Sequence, residues 1–488
     1  MPKPVPLPPP VIAAFRLYQT DQPEAAFAAL LEAGSGALGH PAGQLLLGAV
    51  LLDRNDPRQA ADAFRRAMLL DPGYGRACVN ASVVLRRLNR LEQALRAANW
   101  SVCVDPVSHT ARNARSAVLL DLDRPGGAVV DAQVVLAGAP DDAEALLNRG
   151  VALQRLGDFT EASSVLEMAV RHQPNDPAAR HARSYLRLLQ GDLPDGWRER
   201  EARWALPGHA PLLRLVGVPL WTGEPLSGRT IAVFGDEGRG DMIQYVRFLR
   251  QPPFDEARVT LCVPSYMVRL FAGALSGVDV IASPPTGRMD FQIPLSRIPS
   301  VLGTDIGTIP ASVPYLPVEP ERLEHWRSRI GDHGLRVAIC WQGNPGTPVD
   351  RGRSIPLASF APLAVVPGVR LIALQARHGV DQLANLPDGM TVEVLGPGFD
   401  SGPDSFVDPA AVVQAVDLVI SSDTALAHLA GALGRPVWLA LRRVPDFRWL
   451  LGRDDSPWYP TMRLFRQSRE GDWDEVVGRM VEALRDYR

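Results

Sequence analysis

The chain has 488 residues, 51 of them basic and 54 acidic, for a net charge of −3. This length leaves room for about three domains of roughly 150 residues, and the charge balance excludes partners held by bulk electrostatics, such as nucleic acid or an anionic membrane. With 46% hydrophobic and 22% charged residues, the composition is that of a folded chain and not of a disordered one.

Cys78, Cys103, Cys262 and Cys340 stand far apart with no C-x-x-C pair. That argues against a disulfide framework or a cysteine zinc site and for a reducing compartment, the cytoplasm. No stretch approaches the roughly 20 apolar residues that span a bilayer. The opening Met-Pro-Lys-Pro-Val-Pro-Leu-Pro-Pro-Pro is too proline-rich for a signal-peptide core, and residues 1–10 are expected to form a short extended arm.

In chain order, a repeat array comes next. Pro72, Pro106, Pro140 and Pro174 recur every 34 residues, the tetratricopeptide (TPR) period. The unit at 143–176 is the clearest, with Gly150, Leu153, Gly157, Phe159, Ala162, Leu166, Ala169 and Pro174 in the motif positions. Small Gly150 and Ala162 let the two helices of a hairpin approach. Leu153, Phe159 and Leu166 fill the seam, and Pro174 stops the second helix. Residues 41–74 repeat the scheme with Gly48, Ala60, Phe64, Ala67 and Pro72; 75–108 and 109–142 are looser, and 7–40 is an imperfect copy with Ala14, Ala26 and Ala33 in phase. The expectation is an all-α TPR solenoid over 11–210. It continues as helix through 190, breaks at 191–197 and ends in a capping helix at 197–204. Its concave groove suits an extended protein chain; a plain packing or oligomerisation role is the alternative.

After Pro219 short β-branched runs alternate with helical patterns, the grammar of parallel sheets. Strands are expected at 230–234, 258–263, 278–281 and 291–295. A proline-rich linker at 309–320 follows, and then strands at 337–341, 369–375, 391–395, 418–420, 437–441 and 462–465. A helix from Trp473 to about Tyr487 closes the chain. Two doubly wound halves, 211–315 and 316–488, are expected to hold a ligand in the cleft between them.

Three segments carry candidate chemistry. The first, Gly-Asp-Glu-Gly-Arg-Gly-Asp at 235–241, links the first strand to a helix at 242–250. Its glycines, Gly238 and Gly240 among them, let backbone approach an anionic ligand, and Asp241 is either a helix cap or a general base. The second runs from Trp341-Gln-Gly-Asn344 to Asp350-Arg-Gly-Arg-Ser354. Arg351 and Arg353 suit phosphate capture by forked donors, or belong to a solvated loop with Arg351 paired to Asp350. The third, Ser422-Asp-Thr-Ala-Leu-Ala-His428, follows a strand. Its helix start is a phosphate site with His428 one turn on from Thr424, or a structural helix with a core histidine. Gln375, at a strand end, is a candidate nucleoside contact. Trp449, Trp458 and Tyr459 either stack on a base or sugar or pin a long loop. The nine histidines form no H-x-x-x-H pair and no metal-site pattern.

The array and these blocks resemble the bacterial TPR-containing glycosyltransferases. So do Gly-Trp-Arg-Glu-Arg-Glu-Ala-Arg-Trp at 196–204, Pro-Asp-Phe-Arg-Trp at 445–449 and Ser-Pro-Trp-Tyr-Pro at 456–460. The catalytic half resembles glycosyltransferase family 9, the heptosyltransferases, and more distantly the O-linked N-acetylglucosamine transferases. The resemblance implies an α/β GT-B fold of two Rossmann-like domains, with the terminal helix crossing back to the first. It implies a nucleotide-sugar donor as substrate, held mainly by the second half, with no cofactor and no metal. Asp241 corresponds to the catalytic aspartate of the heptosyltransferases. Asp423, Thr424 and His428 match their donor-binding Asp-Thr-x-x-x-His element, with Ala425 where those enzymes usually have glycine. The lysine they carry after the Arg-Ser pair is missing from Ile355-Pro-Leu-Ala358, leaving Arg351 or Arg353 as its substitute.

The leading reading is sugar transfer to an acceptor hydroxyl, with Asp241 and Arg353 as catalytic groups. Asp241 deprotonates the acceptor, Arg353 or Arg351 with the amides at 423–425 holds the departing diphosphate, and His428 orients the donor. Gly238, Gly240, Trp341, Asn344, Ser354, Gln375 and Ser422 complete the candidate donor site. The array is expected to recruit a protein acceptor such as flagellin or another surface protein. The alternatives are an enzyme acting on a glycan or lipid-linked acceptor, and a scaffold whose transfer module binds without turnover. An oligomer is compatible with the sequence.

Overall fold

The computed structural model describes residues 6–207 and 215–487. Two compact units divide the chain, Met1–Arg183 and Ser184–Arg488. In the first, proline opens helix after helix, at Pro9, Pro23, Pro41, Pro57 and Pro125, where its missing N–H leaves no bond unmade. The helices pair as Pro41–Asp53 with Pro57–Leu70, Gly75–Arg87 with Leu91–Val104, His109–Asp121 with Pro125–Gly138, and Ala143–Leu156 with Phe159–His172. Each of the four evenly spaced prolines follows the second helix of a pair. A Cβ on Gly150 would stand 2.5 Å from Leu166 Cδ2, so glycine there sets the close approach of the two helices. Asp131 is buried and accepts from Arg112 at 2.9 Å and Arg115 at 2.6 Å; such a charge is tolerable only when paired.

The expected arm is shorter than ten residues. Pro9 and Pro10 already lie in the helix Pro9–Gln19, because proline fits a first helical turn. Its first five residues, and the expected boundary at 210, lie outside the described residues. The break before the last helices is also shorter than expected: the chain resumes as the helix Leu193–Arg200, with proline in its first turn, then the 3-10 turn Glu201–Ala205. These helices belong to the second unit, where Trp197 packs edge-on against Tyr245 and Phe447, and Arg203 donates to Ser296 at 2.8 Å.

The second unit holds two parallel sheets. The first has β1 (Thr230–Phe234), β2 (Arg258–Cys262), β3 (Val278–Ile281) and β4 (Phe291–Pro294) in the order β3-β2-β1-β4. The second has β5 (Leu335–Cys340), β6 (Val369–Ala373), β7 (Glu393–Val394), β8 (Leu418–Ser422), β9 (Val437–Leu441) and β10 (Met462–Arg466), ordered β10-β9-β8-β5-β6-β7. All pairings within both sheets are parallel. In each, the chain winds outward and returns beside its starting strand, so the order reverses between β1 and β4 and between β5 and β8. Ligands of such sheets bind at the carboxyl ends of the strands flanking that reversal. The three chemistry-bearing segments follow β1, β5 and β8.

The terminal helix, Trp473–Arg485, does not cross back to the first sheet. Its Trp473, Val476, Val477, Met480 and Leu484 are buried in the second sheet's core with Val337, Leu363, Trp438 and Phe465. That apolar face is satisfied where it lies.

Candidate active site

Three carboxylates follow β1. Asp236 accepts from the Ser296 amide at 3.0 Å. Glu237 accepts from Arg200 at 2.9 Å, with Arg203 at 3.6 Å and Arg448 at 3.8 Å. Burial pushes the Glu237 carboxyl up, but these guanidiniums overcome it and hold the group at about 2. Asp241 is the third residue of the helix Arg239–Tyr245. It is both a cap and a site residue: Oδ2 accepts from the Gly238 amide at 2.9 Å, and Oδ1 forms an ion pair with Arg448. Burial, with Glu237 and Asp446 nearby, pushes Asp241 up to about 6 against the pull of Arg448 and Arg200. A carboxyl titrating near neutrality suits a general base.

The second half meets this helix directly. A Cβ on Gly240 would lie 2.9 Å from the His428 ring and 3.5 Å from the Ala425 Cα, so Gly240 lets the two helix starts abut. His428 lies on the helix Ala425–Ala432. It is buried between Trp449, with ring centroids 5.2 Å apart, and Tyr459, whose hydroxyl stands 2.8 Å from Nδ1. Burial first, then the Arg448, Arg247 and Arg353 charges, holds the imidazole well below its usual range, hence neutral.

The Ala425–Ala432 helix lacks a side-chain cap: among the described residues the Thr424 hydroxyl accepts no amide of its first turn. Thr424 Oγ1 instead stands 3.1 Å from Ser421 Oγ. The fully buried Ser422 hydroxyl has no hydrogen-bond partner among the described residues. Burial, with Asp446 adding to it, raises Asp423, while Arg353 is close enough to pull it down. Arg353 reaches Asp350 at 3.4 Å, and its buried Nε has no partner among the described residues. A side chain on Gly343 would collide with both. Arg353, Asp423, His428 and Asp241 therefore share one electrostatic neighbourhood. Uncapped amides, an unpartnered hydroxyl and an unpartnered guanidinium N–H are what an anion binds to.

Other expected contacts serve the loops instead. Gln375 Oε1 accepts from the Trp341 and Gln342 amides at 3.2 Å, and its Nε2 donates to the Gln342 carbonyl at 2.9 Å and to that of His378. Both ends of the amide hold backbone, which leaves no polar atom for a nucleoside. Trp341 is buried, with Nε1 donating to Gly379 O at 3.1 Å. Asp350 takes the Ser354 hydroxyl at 2.8 Å and lies 3.4 Å from Arg353. Exposed Asn344 accepts from the Gly346 amide at 3.0 Å. Gly238 gives its amide to the Asp241 carboxylate at 2.9 Å. Trp449, Trp458 and Tyr459 are all at most 1% exposed and pin the loop; none is open to stack on a base.

Sequence reading missed Arg448 and Asp446, although both lie in the quoted Pro-Asp-Phe-Arg-Trp block. Arg448 donates Nε to Gln244 Oε1 at 2.6 Å and Nη1 to Asp446 at 2.7 Å. The signal was two charged residues inside an otherwise apolar motif. It also missed Arg247, buried over the Tyr315 and Tyr459 rings at 4.4 and 4.5 Å and donating to Tyr315 at 2.7 Å. Two surface depressions, one at 215–219 and 285–290 and one beside Trp438, Arg463 and Tyr487, include none of these site residues. Among the described residues no group of three or more His, Cys, Asp or Glu is placed to hold a metal ion, and no helix is long and apolar enough to cross a membrane.

Residues 119–184 match a tetratricopeptide repeat model and residues 369–441 match glycosyltransferase family 9 (heptosyltransferase). The chain joins a TPR array to a region similar to the family 9 glycosyltransferases. That region spans β6 to β9 and includes the Ser422–His428 block. Protein FlbA of Caulobacter vibrioides is 28% identical over 470 residues, which cover 90% of this chain and 78% of the relative. Among solved structures, a tetratricopeptide repeat protein from Parabacteroides merdae matches 40% of this chain and 85% of its own, at 14% identity and a TM-score of 0.34. MamA matches 33% of this chain and 94% of its own, at 16% identity and a TM-score of 0.31.

Proposed function

We propose that the second unit is a GT-B glycosyltransferase that moves a sugar from a nucleotide-diphosphosugar to an acceptor hydroxyl. The single observation carrying this is the abutment of Gly240 on His428 and Ala425. It sets a carboxyl titrating near 6 one residue away from the contact with an uncapped helix start. Asp241 takes the acceptor proton as the hydroxyl attacks the anomeric carbon. The bond from that carbon to the diphosphate oxygen breaks, and the negative charge appears on the leaving group. The Ala425–Ala432 amides, Ser422 and Arg353 receive it, in place of a bound cation. The chain's single lysine is Lys3, so the family's site lysine has no counterpart here and arginine takes its part. His428, neutral and fixed by Tyr459, orients the donor.

The TPR array recruits a protein acceptor in the cytoplasm, flagellin or another surface protein before export. The support is the repeat match and the four free cysteines. A thermal-shift panel of UDP-, GDP-, ADP- and CMP-linked sugars tests the donor reading, followed by transfer assays with Asp241→Asn. The expected result is stabilisation by one diphosphate-linked class and not by the monophosphate-linked CMP sugars, kept in the variant while transfer is lost. Stabilisation without transfer in the unsubstituted protein would instead favour a binding scaffold.

A further inference from the structure

Arg448 stands where charges from both halves meet. It is 8% exposed and comes from the loop after β9. Nη2 pairs with Asp241 of the first half, Nη1 with Asp446 at 2.7 Å, and Glu237 lies 3.8 Å away. Glu237 is also held by Arg200 at 2.9 Å. The same guanidinium pulls on Asp423 and acts on His428 at the helix start across the site. A carboxylate locked in an ion pair is a weaker base than a free one. Gln244 lies one turn on from Asp241. Its Oε1 holds Arg448 Nε at 2.6 Å, and its fully buried Nε2 has no partner among the described residues.

We infer that Arg448 alternates between two anions: it holds Asp241 while the site lacks donor, and turns to the donor's diphosphate when that binds, releasing Asp241 as the base. This deepens the donor-binding reading above and rests on it. A diphosphate offers a guanidinium fork more charge and more acceptor atoms than one carboxylate does. Asp446, bound to both the side chain and the amide of Arg448, is the pivot. The unpartnered Gln244 N–H is the donor that meets the Asp241 carboxylate once Arg448 has left.

The test is a double-mutant cycle on the full chain. Affinities for UDP, GDP, ADP and CDP are measured by calorimetry, above the Asp241 midpoint, in the unsubstituted protein, Asp241→Asn, Arg448→Gln and the double variant. For the diphosphate that binds, Asp241→Asn is expected to tighten binding about fivefold, because it frees Arg448, and to change it by less than about twofold once Arg448 is glutamine. Equal gains in both backgrounds would mean simple charge repulsion and overturn the exchange; so would an unchanged affinity in Arg448→Gln. If that variant does not fold, Arg448→Lys keeps the charge without the fork. Weaker binding and a smaller asparagine gain are then expected, and behaviour like the unsubstituted protein overturns the proposal. Failure of all four diphosphates to bind the unsubstituted protein removes the donor reading itself, and the exchange with it.

Discussion

Asp241 carries two duties that normally fall to different residues. One oxygen closes the start of its helix and the other faces a cation, while burial and two neighbouring carboxylates keep its proton affinity high. As a general base it must be ionised, so kcat/KM is expected to rise with pH through about 6 and then level off. The rise is expected to vanish in Asp241→Asn, with transfer down about 10²- to 10⁴-fold and donor binding kept or tightened. A pH–rate profile of both proteins checks this; an unchanged rate removes Asp241 from the mechanism. Arg353→Ala is expected to weaken donor binding about tenfold, since a charge-assisted contact is lost, and titration with the donor measures it. Asp241 and Asp423 stood out in the sequence because each follows a strand at the start of a helix, and His428 because it lies one turn on from Thr424. Arg448 did not. Its partner Asp241 is 207 residues away, and local pattern says nothing about a contact of that range.

The site is built from helix starts, and their ends differ in how they are satisfied. Asp241 caps its own helix, whereas the Ala425–Ala432 helix is left open by Thr424. Thr424→Asp supplies a cap. It is expected to keep or raise thermal stability, by about 0.5–2 kcal/mol at most, while weakening donor affinity through the carboxylate placed where the diphosphate binds. Melting curves beside titrations read both; tighter binding would place the diphosphate elsewhere. Gly240→Ala forces a methyl into the His428 ring and is expected to cost about 1–3 kcal/mol, measured by denaturant unfolding. The strand-helix alternation was readable from β-branched runs and glycines. The fate of the aromatic blocks was not, because Trp449 and Tyr459 look alike in sequence whether they stack on a ligand or fill the space around His428.

The chain folds as two compact units. The 34-residue period made the array plain, since each hairpin repeats the same small-residue seam. The unit boundary was hidden: helix continues past Arg183, and only long-range partners such as Tyr245, Phe447 and Glu237 draw Trp197 and Arg200 into the second unit. The terminal helix was misplaced for a like reason, as its apolar stripe does not say which sheet it covers. Deletion of residues 1–175 is expected to leave cooperative melting and nucleotide binding intact while abolishing transfer to a protein acceptor; transfer to a small glycan surviving the cut would favour a glycan acceptor. The central claim is that the first half's base and the second half's anion site face one substrate. X-ray diffraction from crystals of the full chain with a bound nucleoside diphosphate reads this directly. The expected density lies over the open end of the Ala425–Ala432 helix, in reach of Arg353 and beside Asp241; a diphosphate seated away from that helix end would contradict the account.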